Sequence, residues 1–168
     1  HAVYGLSLNI VGIDPTFTLG DLARQRQLTI QRLQEDGVMD LQRAMKMPLL
    51  PRRVAVISVA DAAGYGDFCH QLQSNSSGFS FRTQLFPALM QGEQSPASII
   101  AALEQVAAAM EAYDVVVIVR GGGATTDLRN FDDYSLAFHC ANFPLPIIAG
   151  IGHTRDISVV DMVVHTSV

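Results

Sequence analysis

Asp114-Val115-Val116-Val117-Ile118-Val119-Arg120-Gly121-Gly122-Gly123 decides the fold. Its β-branched residues are stiff at χ1 and pack well on a pleated surface. No polar residue alternates with them, so both faces of this strand are expected to be buried, as in a parallel sheet. The run stops at one arginine followed by three glycines. Pro146-Ile147-Ile148-Ala149-Gly150-Ile151 has the same build and stops in Gly152-His153-Thr154-Arg155-Asp156. In open parallel sheets ligands sit beyond the carboxyl ends of the strands. Two such neighbours would bring a guanidinium, side-chain-free backbone, an imidazole and a carboxylate to one edge. That set suits a phosphate and a proton transfer.

Working outward, Val54 to Ser58 reads as a buried strand, residues 62–74 as a helix and Ser80 to Phe86 as a second strand. Ser95-Pro96 opens a helix, serine as cap and proline in the first turn, with Ile99, Ile100, Leu103, Val106 and Met110 on its core face. Phe131 to Asn142 reads as a helix and Asp156 to Val164 as a short closing one. Repeated strand-helix units predict an α/β fold: a three-layer open parallel sheet, flavodoxin-like, of about four or five strands. The expected strand order is 2-1-3-4, with the crevice between the first and third strands.

Upstream, residues 2–13 alternate loosely and read as one strand. Thr18 to Asp21 resembles a capping box, opening an amphipathic helix that Gly37 stops after Glu35. A second helix is predicted from Met39 to Met47, and Pro48 and Pro51 mark a boundary. The organisation expected is therefore a terminal strand over 1–13, a helical connecting arm over 14–50 and an α/β domain over 51–168.

The 168 residues suffice for one domain with a sizeable core, and 49% hydrophobic with 16% charged residues describes a globular, water-soluble chain, expected in the cytoplasm. No apolar run approaches the ~18 residues of a membrane span, and no basic-then-apolar leader opens the chain. A first residue His1 is expected of a piece excised from something longer. Cys69 and Cys140 are expected to be buried and free. Residues 1–53 hold seven Lys or Arg against five acids, while residues 54–168 hold four Arg against eleven acids. A basic surface of the kind that drives nucleic-acid affinity is therefore not evident, so attraction to a polyanion must come from the few arginines, other segments or a partner.

Arg120 with Gly121, Gly122 and Gly123 is the first candidate site. Glycines let backbone N–H groups converge on an anion, and Arg120 can add a bidentate pair to phosphate oxygens. The bland reading is a tight turn after a strand. No Lys-Ser/Thr follows, so it is not a Walker loop. His153 is the second candidate: if Asp156 opens a helix, its carboxylate could fix one imidazole tautomer. The alternative is a satisfied structural histidine, or two ligands of a divalent metal. Asp67, after Gly64-Tyr65-Gly66, is the third, with a helix-surface carboxylate as its alternative. Asp127 and Asp161 read as solvated or capping, Asp132 and Asp133 as favouring a helix N-terminus. Tyr65, Phe68, Phe131 and Phe138 read as core.

Together these residues resemble the large subunit of exodeoxyribonuclease VII. The matching stretches are Pro51-Arg52-Arg53-Val54-Ala55-Val56-Ile57-Ser58, Phe86-Pro87 with Gln91-Gly92 and Ala97, Asp114 through Phe131, and Pro146-Ile147 with Gly152, His153, Asp156 and Asp161. The resemblance covers roughly residues 3–168. It implies an upstream OB-type domain for single-stranded DNA, ending in residues 2–13, and a downstream helical region that recruits small subunits. It further implies hydrolysis of single-stranded DNA to nucleoside 5′-phosphates, a homo-oligomer, no membrane association and no required cofactor or metal. The functional residues it carries over are Asp67, Arg120, His153 and Asp156. Ala124, Thr126, Arg129 and Thr154 depart from the family's Ser, Glu, Trp and Glu. Those departures motivate a second reading, a non-catalytic phosphate- or nucleotide-binding module. A small-molecule lyase of dehydroquinate-dehydratase-like architecture fits the fold pattern but not the motif residues.

Overall fold

The computed structural model describes residues 15–120, 125–152 and 157–168. The strand expected over residues 2–13, Gly121 to Gly123, His153 and Asp156 lie outside them.

Strands β1 (Arg53–Ser58), β2 (Arg82–Pro87), β3 (Val115–Val119), β4 (Ile147–Gly150) and β5 (Thr166–Ser167) form one sheet in the order β2-β1-β3-β4-β5, every pair parallel. The chain builds away from β1 in one direction to β2 and in the other through β3 to β5. Right-handed crossovers then put the β1–β2 helix on one face and the later helices on the other. Accordingly α3 (Ala63–Gln73) covers one face, with Tyr65 and Phe68 against Val54, Val56, Val115, Val117 and Val119. Helices α4 (Ser95–Ala108), α5 (Tyr134–Ala141) and α6 (Val159–Val163) cover the other, over Ala55, Ile57, Val116, Ile118, Ile147 and Ala149. Every residue of β3 is buried, as its uninterrupted apolar run requires.

The amino-terminal helices α1 (Pro15–Glu35) and α2 (Leu41–Ala44) precede the sheet. Leu33 and Val38 are buried in the main core cluster, and Ile30 and Met39 pack against it. Gln42 is fully buried on α2: its amide donates to the carbonyls of Phe143 (2.8 Å) and Leu145 (3.2 Å), and its oxygen accepts from Ile147 N–H (2.9 Å). One side chain thereby satisfies three backbone groups at the entry to β4.

Several boundaries differ from the sequence expectation. Helix α1 is already running at Thr18, so the Thr18–Asp21 box lies inside it; Pro15, with φ preset for a first helical turn, starts it instead. The Met39–Met47 helix is reduced to the single turn of α2, which ends at the extended backbone of Met45. Phe131 belongs to a 3-10 run, Thr125–Asp132, and α5 starts after it with Asp133 as cap, accepting from Leu136 N–H at 2.8 Å. The closing helix is capped by Ser158 rather than opened at Asp156. Both cysteines are free, but only Cys140 is buried, which pushes its thiol up to about 12; Cys69 is half-buried.

Candidate active site

The crevice is built at the carboxyl ends of β1, β3 and β4. Parallel pairing sets Val119 level with Gly150, and the Arg120 N–H donates to Gly150 C=O at 3.0 Å. On the other side the buried Ser58 hydroxyl, at the end of β1, donates to the Val119 carbonyl at 2.7 Å. The peptide leading into Arg120 is therefore held from both neighbouring strands. With strands ~4.8 Å apart, the root of the glycine loop and the root of the segment carrying His153 lie side by side. Arg120 itself is half-buried.

Beyond β1 and β2 the floor drops into a cavity of about 460 Å³, lined by Val59, Asp61, Ala62, Leu89, Met90 and Gln91. Ala88 N–H donates to Ser58 C=O (3.0 Å), and Leu89 N–H donates to the Ser98 hydroxyl on α4 (2.9 Å). These bonds fix the approach to the Gln91-Gly92 turn, where Gly92 takes φ +82°, a left-handed conformation that suits glycine. Asp67 is exposed on α3, whose first residue, Ala63, also lines the cavity.

The far end of the His153 segment re-enters the described structure at Ile157. There Arg26 of α1 donates through Nη2 to the Ile157 carbonyl, and Asp132 accepts from Val159 N–H at 2.8 Å. Arg26 Nε stands 3.8 Å from Asp132 Oδ1. Burial is the chief influence on Asp132 and raises its carboxyl above its ordinary value, against the Val159 N–H bond and the nearby Arg26 charge, which lower it. Between them, Ser158 and Asp161 close a capping box: Asp161 accepts from Ser158 N–H (2.9 Å) and its hydroxyl (2.7 Å). Asp161 is thus a buried cap. Asp132, expected to favour its own helix's N-terminus, serves α6 instead, because Asp133 is the cap of α5.

Of the residues named from sequence, Arg120 stands at the crevice and Asp67 on the helix beside it. Gly121, Gly122, Gly123, His153 and Asp156 fall outside the described residues, although the flanks of both segments are fixed. Ser58 and Arg26 were not singled out as site residues, and Asp132 was read only as favouring a helix N-terminus. Ser58 could have been found from its place at the end of a buried strand; the other two pair over long sequence distances and leave no local signal. Among the described residues no group of three or more His, Cys, Asp or Glu is arranged to hold a metal ion. No helix among them is long and apolar enough to cross a membrane.

A family model described as exonuclease VII, large subunit, matches residues 38–168. The chain belongs to this family. An exodeoxyribonuclease 7 large subunit of Deinococcus radiodurans is 38% identical over 168 residues, covering 97% of this chain and 40% of the relative. That of Cyanothece sp. is 41% identical over 147 residues, covering 85% and 34%, and that of Acaryochloris marina 36% over 140, covering 83% and 32%. The chain therefore spans between 32% and 40% of the length of these exonuclease VII relatives. The match begins within the helical arm, just before the buried Gln42 that ties the arm to β4.

Proposed function

We propose that this chain carries the catalytic crevice of an exodeoxyribonuclease that hydrolyses phosphodiester bonds of single-stranded DNA to nucleoside 5′-phosphates. The observation that carries the reading is the β3–β4 pairing: it sets Arg120 beside the root of the segment bearing His153, in a chain of the exonuclease VII large-subunit family. The amides of Gly121 to Gly123 cradle the scissile phosphate. Arg120 stabilises the charge that develops on the five-coordinate phosphorus, which is worth several kcal/mol in a site closed to water. His153 takes the proton of the attacking water or protonates the departing 3′ oxygen, a contribution of roughly 10²–10⁴-fold. Asp156 orients the imidazole, and Asp67 positions the water. No metal is assigned a step.

In this reading residues 1–13 close an OB-type domain that grips single-stranded DNA, residues 14–50 form a helical arm docked on the α/β domain, and residues 51–168 form the nuclease domain itself. A helical region beyond residue 168 recruits the small subunit in a cytoplasmic homo-oligomer. The test uses the intact protein with its small subunit. Arg120→Ala and His153→Ala should each cut release of acid-soluble nucleotides by about 10²-fold or more, with single-stranded DNA still bound. Near-normal turnover in either variant removes that residue from the mechanism. DNA binding with no release by the parent protein would support the second reading, a non-catalytic phosphate-binding module, which the departures at Ala124, Thr126, Arg129 and Thr154 favour.

A further inference from the structure

We propose that the amino-terminal edge of the sheet, opposite the crevice, is a second contact site for single-stranded DNA, with Arg52 and Arg82 on its phosphates and Phe79 against one of its bases. The choice of ligand rests on the reading above, whereas the site itself includes no residue of the crevice. Arginines distant in sequence meet at this edge. Parallel pairing of β1 with β2 sets Arg53 level with Arg82, on strands about 4.8 Å apart. Arg52, Arg53 and Arg82 line a cavity of about 380 Å³ together with Leu50, Ser80 and Asp114. Like charges this close repel one another, yet they gather here in a chain whose net charge is −5.

The nearby carboxylates do not neutralise the group. Asp114 accepts from two backbone N–H groups and from the Arg53 guanidinium, and the Glu111 charge acts on the same arginine. Arg53 is therefore the compensated member. Arg52 Nε donates to the Ser80 carbonyl at 3.2 Å, and no carboxylate among the described residues pairs with the guanidinium of Arg52 or Arg82. Both side chains are exposed, and their forked donors suit phosphate oxygens. Next to Ser80, Phe79 is 49% exposed on a backbone that is fixed. Its N–H donates to Asn75 Oδ1 (3.0 Å) and its carbonyl accepts from Asn75 Nδ2 (2.7 Å). An aromatic ring held at the surface beside cations is the make-up of a site for single strands, ring for base and cation for backbone. An acidic peptide would satisfy the guanidiniums but has no need of the ring. β1 is six residues long, so this edge stands roughly 20 Å from the crevice. The phosphate held here is therefore not the one cleaved, and the site acts on binding rather than on chemistry.

The experiment uses the intact protein with its small subunit and a labelled single-stranded oligonucleotide. Kd is measured across a series of salt concentrations, nucleotide release at saturating DNA, and Tm for each variant. The double variant Arg52→Ala/Arg82→Ala should bind more weakly and flatten the slope of log K against log salt by about 1.4, about 0.7 for each lost phosphate contact. Phe79→Ala should raise Kd roughly 5- to 100-fold with little change in slope, and Phe79→Tyr, which keeps a ring, should bind like the parent. In the weakened variants KM should rise while kcat stays within about twofold, the mark of lost binding that the transition state shares. Parent-like Kd and slope in the double variant overturn the proposal, and so does parent-like Kd in Phe79→Ala, since a site for a lone anion needs no ring. Unchanged DNA binding with loss of the small subunit assigns the arginines to a protein partner and also overturns it. A parent protein that shows the predicted binding differences but releases no nucleotide removes the catalytic reading and leaves this site standing. If the double variant does not fold, Arg82→Gln decides the matter through a slope change of about 0.7.

Discussion

At the residue scale, the two ends of β3 do different work. At its amino end Asp114 accepts from the backbone N–H of Arg52 (2.9 Å) and Arg53 (2.8 Å) and from the Arg53 guanidinium Nε (3.0 Å). The Arg53 side-chain bond, aided by the two backbone bonds and opposed by burial, holds the Asp114 carboxyl below its ordinary value. A depressed folded-state pKa contributes stability that is complete above the unfolded carboxylate value of about 3.9. That contribution is lost as pH falls through the lower folded value. Chemical denaturation between about pH 5 and about pH 2 should therefore show a steeper loss of stability in the parent than in Asp114→Asn. Parallel curves would contradict the assignment. At the carboxyl end, Arg120 was legible because a basic residue and three glycines interrupt a strand that has no other polar residue. The contacts of Arg26 and Asp132 were not, because each acts through a partner at least 27 residues away, and one sequence carries no trace of such pairing.

At the scale of elements, the buried strands and their order were readable from apolar runs separated by helical periodicity. The closing helix α6 was expected over Asp156 to Val164 and is shorter, starting at its Ser158 cap, whereas β5 was not readable: it is two residues long, too short for a period to register. The arm is where sequence and packing part most clearly. Its prolines suggest a linker, yet Leu33 is fully buried and Gln42 supplies the bonds for three backbone groups of another element. Leu33→Ala should cost about 2–5 kcal/mol in a denaturant titration. Gln42→Leu should cost about 2–4 kcal/mol, because Ile147 N–H and the Phe143 and Leu145 carbonyls lose a buried partner. A loss below about 0.5 kcal/mol, the range of neutral surface changes, would show that the arm is dispensable to the fold.

At the scale of the whole molecule, a doubly wound sheet places a crevice where the chain reverses its direction of growth. Here that point lies between β1 and β3, bounded by Ser58 and Arg120. The acidic balance of residues 54–168, four arginines against eleven acids, makes Arg120 one of few cations in this part of the chain. Nuclease activity of the intact protein should accordingly survive a chelator within about twofold, if the crevice works by arginine and histidine alone; abolition would assign Asp67 or the His153–Asp156 pair to a metal. The central claim is that Arg120 and His153 grip one phosphate, and a double-mutant cycle on turnover addresses it. In the intact protein, Arg120→Ala, His153→Ala and the double variant are compared on single-stranded DNA, with binding measured in parallel. Side chains acting as one unit give a double variant about as impaired as the worse single variant. Losses that multiply would place the two residues in independent roles and contradict the account.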